Sequence, residues 1–325
     1  MRLSPGWASS GRVPAWSIVA ELFAAVDCGT NSVRLLIAQV IDGDLHEVDR
    51  RLHITRLGQG VDATGAFHPE ALARTLDAMA DFGAQLDALG VQHRRVVATS
   101  AARDAANSAE FFSGANARLG VPAEIISGEE EAGLSYAGAV AALPHLAQPV
   151  LVMDIGGGST ELVVGADGVA RSAVSLNIGS VRLRESHLHS DPPSQEEIAA
   201  ASDRIDGVLD SSGIDFAGIA TWVGVGGTVT SLSALAQQLP VYDRRLVHAS
   251  VVSSDALASL TRSLLAMPVA EVTELPTMVP GRADVICAGA LICSRVGARV
   301  PAELVVSEAD ILDGVIARLA NSAQM

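Results

Sequence analysis

Short apolar runs that stop abruptly at a carboxylate and a glycine set the pattern of this chain. Phe23-Ala24-Ala25-Val26 leads into Asp27-Cys28-Gly29-Thr30-Asn31-Ser32, and Leu35-Leu36-Ile37-Ala38 follows. The same figure returns at Val150-Leu151-Val152-Met153, then Asp154-Ile155-Gly156-Gly157-Gly158-Ser159-Thr160, then Leu162-Val163-Val164. Short apolar runs bounded by turn residues predict buried strands, so each copy reads as strand, glycine turn, strand. Asp42-Gly43-Asp44 predicts a tight turn into a third strand over residues 46–55, and Asp167-Gly168 does the same before residues 170–176. Helical spacing then takes over. Leu72, Leu76, Met79, Phe82, Leu86 and Leu89 recur at three and four, from Pro69 in a first-turn position to a stop at Gly90.

The rest of the first half predicts a strand at 96–99, a helix capped by Asn107-Ser108 and ending near Gly120, and a strand at 123–126. A helix over 128–143 carries Glu129, Glu130 and Glu131 and is closed by Pro144. After the second glycine turn come a helix over 194–209, a strand over 219–223, and a third turn, Gly224-Val225-Gly226-Gly227-Thr228, entering a helix to Leu239. Helices over 256–267 and 283–296, a strand at 304–306 and a final helix from 308 complete the pattern. Asp27 and Asp154 lie 154 − 27 = 127 residues apart, the length of one small domain, which predicts a degenerate duplication.

Composition narrows the class. At 325 residues with 49% apolar content the chain can fill two cores. No uncharged apolar run is long enough to span a bilayer. Glu21 interrupts the apolar stretch at the N-terminus, so residues 1–20 read as a loose extension, not a cleaved signal. Cys28, Cys287 and Cys293 form no C-x-x-C pair and leave an odd count, which fits a reducing compartment; a cytoplasmic protein is expected. The net charge of −15 argues against non-specific nucleic-acid binding and leaves any anionic ligand dependent on local cations. All 22 cationic residues are arginine, so a Walker phosphate loop, which needs lysine, is excluded.

Phosphoryl transfer asks a protein mainly for positioning and charge neutralisation. Asp27 and Asp154 each end a strand before glycine, where amides can approach an oxyanion without a Cβ in the way. If the halves face each other, both carboxylates converge on one Mg²⁺, which takes one or two carboxylates plus substrate phosphate. Glu161, on the returning strand, is placed to orient water or metal. Glu131 is the stronger general-base candidate. Arg34 and Arg103 follow strand ends within reach of a phosphoryl group, and Gly226-Gly227-Thr228 offers free amides at a helix start. The eight histidines lack zinc-ligand spacing, and Ser159 lacks the G-x-S-x-G frame of a serine hydrolase.

Six segments in order carry a resemblance: residues 25–35, 98–103, 126–132, 154–162, 178–183 and 226–228. On these motifs the chain resembles the exopolyphosphatase and guanosine pentaphosphate phosphohydrolase family, within the superfamily of actin, sugar kinases and heat-shock chaperone ATPases. The resemblance implies an α/β fold of two ribonuclease-H-like domains around an interdomain cleft. The expected division is residues 21–132 and 133–325, with helix 308–321 packing back on the first domain. It implies Mg²⁺-dependent removal of a terminal phosphate, with Glu131 and Glu161 as catalytic residues and Asp27, Asp154 and Glu161 holding the metal. Thr30, Asn31, Ser32, Arg34, Arg103, Gly156, Gly157, Gly158, Ser159, Thr160, Gly226, Gly227 and Thr228 would grip phosphate. Thr30 stands where the family commonly has serine and keeps the hydroxyl. Larger members add a C-terminal domain with an H…HD…D constellation; this chain has no His-Asp dipeptide, so short chains of inorganic polyphosphate are the expected substrate. Guanosine pentaphosphate is the alternative. A kinase or a non-enzymatic nucleotide sensor of the same superfamily is a more distant one. The resemblance also implies a homodimer, with neither nucleic acid nor membrane as partner.

Overall fold

The computed structural model describes residues 21–143 and 145–323; the expected extension over residues 1–20 and the helix stop at Pro144 lie outside the described residues. The chain runs β1 (Leu22–Cys28), β2 (Ser32–Ile41), β3 (Asp44–Ile54), α1 (Val61–Thr64), α2 (Pro69–Ala88), β4 (His93–Ala98), α3 (Ser100–Asp104), α4 (Ser108–Leu119), β5 (Ala123–Ile125) and α5 (Gly128–Ala141). It restarts as β6 (Val150–Ile155), β7 (Thr160–Ala166), β8 (Val169–Leu176), α6 (Ser180–His187), α7 (Gln195–Asp210), β9 (Thr221–Val225), α8 (Gly226–Ala236) and α9 (Arg244–Val247). Then come β10 (Val251–Val252), α10 (Ser254–Ala266), α11 (Val269–Thr273), α12 (Ile286–Gly297), β11 (Leu304–Val306) and α13 (Ile311–Ala323).

Two sheets result, ordered β3-β2-β1-β4-β5 and β10-β11-β9-β6-β7-β8. In the first, β1, β2 and β3 are antiparallel neighbours while β4 and β5 continue in parallel on the other side of β1. In the second, β6, β7, β8, β9 and β11 repeat those senses and β10 adds an edge. Even the register breaks correspond, between Ile37 and Ala38 and between Val164 and Gly165, each ten residues after its aspartate. The α/β architecture of two ribonuclease-H-like units around a cleft, expected from the sequence, is therefore present. The central strands read as continuous apolar runs because both of their faces are covered.

Helix α5 is buried on two sides. Leu134 packs with Phe23, Ala25 and Val97 of the first sheet and Val315 and Ile316 of α13, while Ala132, Tyr136 and Ala139 pack on Val150, Val152 and Val163 of the second sheet. Helices α5 and α13 cross where neither carries a side chain. A Cβ on Gly138 would lie 2.0 Å from the Asp310 carbonyl oxygen, and one on Gly314 would lie 2.1 Å from that of Leu134.

Periodicity found the long helices and missed α1, α3, α6, α9 and α11, which are too short to show a repeat. Asn107 precedes α4 but does not cap it; its side chain accepts from Phe67 N (2.8 Å) and donates to Phe67 O (3.2 Å). The last helix starts at Ile311, later than the expected residue 308, because Ser307 closes a turn onto Ala309 O and Asp310 accepts from Leu312 N (3.0 Å).

The helix crossing makes opposite predictions for two glycines of α5. Gly138→Ala forces an overlap with backbone and should cost about 3 kcal/mol. Gly133→Ala, where an added Cβ meets nothing within 4 Å, should instead stabilise by about 0.5–1 kcal/mol through helix propensity. Urea denaturation midpoints of the two variants check the signs.

Candidate active site

The two aspartate turns meet across the cleft between the sheets. Each is closed the same way: Gly29 N donates to Ser32 O (2.9 Å) and Gly156 N to Ser159 O (3.0 Å). The turns then nest against each other, since a Cβ on Gly157 would lie 2.9 Å from Thr30 Cβ and 3.2 Å from Asn31 N. Thr30 Oγ1 and Ser100 Oγ, both buried, are hydrogen-bonded at 2.9 Å. Asp27, Thr30, Asn31, Ser32, Arg34, Glu131, Asp154, Gly156, Gly157, Ser159, Gly226, Gly227 and Thr228 all line one cavity, so most of the residues singled out by sequence come together. Gly226, Gly227 and Thr228 bring the start of α8 to the same space.

Four of those residues do not line it. Gly158 sits behind, where a Cβ would lie 2.6 Å from Ser100 Oγ. Thr160 is buried and its hydroxyl donates to Ile178 O at 2.7 Å, which fixes the chain after the turn. Arg103 donates from Nη1 to Ile126 O (2.9 Å) and to Glu131 Oε2 (3.0 Å). Glu161, 1% exposed, lies directly across from Asp154 in the β6–β7 pair and accepts from Ser175 Oγ at 2.7 Å.

Charge is distributed unevenly. Asp27 Oδ2 accepts from Arg34 Nη2 (2.6 Å) and Nε (3.1 Å), and Arg34 Nη1 donates to Asp310 Oδ2. Asp27 Oδ1 is buried with no partner among the described residues. Asp154 Oδ2 accepts from Ser135 Oγ at 2.9 Å. Burial raises the pKa of Asp154 to about 6 despite the Arg34 charge, and burial with the Asp154 charge raises that of Glu161 to about 7. Burial, reinforced by Glu161, pushes Glu131 well above the ordinary carboxylate range, with Arg103 opposing. Among the described residues no group of three or more His, Cys, Asp or Glu is arranged to hold a metal. Besides Glu131, two carboxylates line the cavity, Asp27, whose Oδ1 has no partner among the described residues, and Asp154, and that donor set suits a cation that keeps most of its waters.

The chain matches the Ppx/GppA phosphatase family over residues 36–322. It belongs to that family. Exopolyphosphatase 2 of Mycobacterium tuberculosis is 45% identical over 315 residues, 91% of this chain and 98% of that one. A solved exopolyphosphatase-like protein superposes with a TM-score of 0.90 at 40% identity, covering 94% of this chain and 99% of its own. A guanosine-5'-triphosphate,3'-diphosphate pyrophosphatase of Vibrio cholerae is 36% identical over 172 residues, 53% of this chain and 34% of that one.

Sequence reasoning in this Ppx/GppA protein missed Ser135, Asp310 and Arg282. Ser135 carried a signal, lying one turn after Glu131 on α5. Asp310 carried a weaker one, as an acidic residue ahead of a helix. Arg282, which lines the cavity and donates to Gly227 O (2.9 Å), carried none that separates it from other arginines. Asp310 is the buried counter-charge of Arg34 and stands 4.0 Å from Arg50. Arg34 keeps Asp27 when the Asp310 charge is removed, so Asp310→Asn should lower stability by roughly 1–3 kcal/mol, read from chemical denaturation.

Proposed function

We propose that this chain is a Mg²⁺-dependent exopolyphosphatase, hydrolysing the terminal phosphoanhydride of inorganic polyphosphate to release orthophosphate, with short chains preferred. The observation that carries the reading is Glu131. It is a buried carboxylate with raised proton affinity, opening onto a cavity also lined by Asp27, Asp154 and by hydroxyl and guanidinium side chains. Such a group is suited to take a proton from water near neutral pH. Water would attack the end phosphorus as Glu131 Oε receives its proton, and the bond from that phosphorus to the bridging oxygen would break. Arg103 holds Glu131 in place through its 3.0 Å contact. Glu161 supports the water or the cation from behind Asp154.

Asp27 and Asp154 would hold Mg²⁺, through the free Oδ1 of Asp27 and the cavity-facing carboxylate of Asp154. When bound, the ion supplies positive charge against the developing oxyanion. Phosphate contacts fall to Thr30, Asn31, Ser32, Arg34, Gly156, Gly157, Ser159, Gly226, Gly227 and Thr228, with Gly158, Thr160 and Arg103 shaping the turns and the base. The expected division at 132/133 runs through α5, which packs on both sheets. A cytoplasmic homodimer completes the reading. Three buried free cysteines support the location, and among the described residues no helix is long and apolar enough to cross a membrane.

Hydrolysis of the terminal 5'-phosphate of guanosine pentaphosphate is the second reading. It uses the same groups and is supported by the match to the Vibrio cholerae pyrophosphatase.

Orthophosphate release from graded polyphosphates, guanosine pentaphosphate and ATP tests the proposal, with polyphosphate expected to turn over fastest. Glu131→Gln should lower kcat by about 10²–10⁴-fold with little change in thermal midpoint. Unchanged turnover in that variant would sink the assignment of the base. Chelation should abolish activity and Mg²⁺ restore it. Because Glu131 must be ionised and its pKa lies well above the ordinary 4.5, kcat/KM should fall as pH drops through that raised value. Glu131→Gln should lose this limb of the profile.

A further inference from the structure

Each of the two turn aspartates has one oxygen engaged and one left over. Asp27 Oδ2 accepts both contacts from Arg34, and its Oδ1 has no partner among the described residues. Asp154 Oδ2 accepts from Ser135 Oγ (2.9 Å), and its Oδ1 makes no hydrogen bond among the described residues. That second oxygen lies against Gly226, at φ +80°, where an added Cβ would come within 2.6 Å of it. The bare glycine keeps the approach to Oδ1 open. A carboxylate turns easily about its last torsion, so presenting one chosen oxygen requires that the other be held.

The groups that hold these carboxylates lead back to two helices. Ser135, 1% exposed, sits on α5 one turn after Glu131. Arg34 is itself held, because its Nη1 donates to Asp310 Oδ2 while Asp310 Oδ1 accepts from Leu312 N (3.0 Å) in the first turn of α13. A chain of contacts thus runs from α13 through Asp310 and Arg34 to Asp27. Neither Ser135 nor Asp310 lines the cavity that holds the two aspartates, so each acts on it through another residue. The helices that carry them cross with backbone on backbone. Gly138, three residues after Ser135, packs on the carbonyl of Asp310, and Gly314 packs on that of Leu134, the residue before Ser135. The distance between the two supports is therefore fixed by the crossing.

We infer that Ser135 and Asp310 are positioning residues that turn Oδ1 of Asp154 and Oδ1 of Asp27 toward one divalent cation, with the α5–α13 crossing setting the spacing between them. The inference rests on the metal-dependent hydrolase reading above. Groups that orient a ligating carboxylate from behind typically change metal affinity by about 10–100-fold when removed.

The test uses the full chain without substrate and Mn²⁺ as the probe ion, with free Mn²⁺ followed by electron paramagnetic resonance. Ser135→Ala and Asp310→Asn should each weaken Mn²⁺ binding by about tenfold. Ser233→Ala removes an equally buried hydroxyl, bonded to Ser250 Oγ at 2.8 Å on α8, and should leave Mn²⁺ affinity unchanged. Thermal midpoints show that each variant is folded during the titration, and Ser135→Ala carries the test if Asp310→Asn is not. In phosphate release, the Mg²⁺ concentration for half-maximal rate should rise by the same factor as the Mn²⁺ dissociation constant. Unchanged Mn²⁺ affinity in a folded variant overturns the role of that residue. An equal loss in Ser233→Ala, or no Mn²⁺ binding by the unsubstituted chain, overturns the inference as a whole. Weakened Mn²⁺ binding as expected, without phosphate release from polyphosphate or guanosine pentaphosphate by the unsubstituted chain, would sink the hydrolase and leave the positioning roles. Phosphate release with Mn²⁺ affinity unchanged in both variants would do the reverse.

Discussion

Carboxylates crowded at the junction of two sheets impose the constraint from which most of this structure follows. Asp27, Glu131, Glu161 and Asp310 are buried there, with Asp154 beside them. Buried like charges are tolerated only when counter-charges or protons compensate. Arg34 does much of that work, reaching from the first turn both to Asp27 on its own sheet and to Asp310 at the head of α13. The helix that follows the second sheet is thereby tied to the turn of the first. Its crossing with α5 at Gly138 and Gly314 holds the same segment, because the carbonyl under Gly138 belongs to Asp310 itself.

A symmetric scaffold carries asymmetric charge. Asp27 pairs across strands with Arg34, and Asp154 pairs across strands with Glu161, each partner seven residues on. Backbone register, turn closure and bulge position correspond in the two halves. The first pair is opposite in charge, although Asp27 Oδ1 has no partner among the described residues. The second is alike in charge: burial pushes Asp154 to about 6, and burial with the Asp154 charge pushes Glu161 to about 7. The two hairpins thus share a backbone plan and differ in the charge of the cross-strand partner.

Much of this was legible because strands and glycine turns are local. The duplicated motifs, the interior helix and the prominence of Glu131 over its neighbours follow from residues close in sequence. Glu129 is exposed and Glu130 is held by Arg95 and Arg318, so only the third glutamate reaches the cleft. What stayed hidden is long-range. Nothing near Arg34 in the sequence announces its buried partner Asp310, 276 residues away. Arg282 looks like any of the 22 arginines until its burial against Gly227, 55 residues earlier, sets it apart. Helices such as α3 and α6 escaped because one or two turns show no period, yet α3 begins with the Ser100 that bonds Thr30.

The net charge of −15 bears on how such a site meets a polyanion. Long-range steering would repel it, although at about 0.1 M salt that field is screened beyond roughly 10 Å. Several arginines offer little help, since Arg95, Arg182, Arg244 and Arg299 are each already engaged by two carboxylates. The attraction that remains is local and buried, in a low-dielectric setting where one unpaired guanidinium counts for more than several exposed ones. A protein built this way gains little in encounter rate. If the cleft takes its anion as proposed, the gain lies in how long the anion stays on buried groups, so selectivity would reside in dissociation.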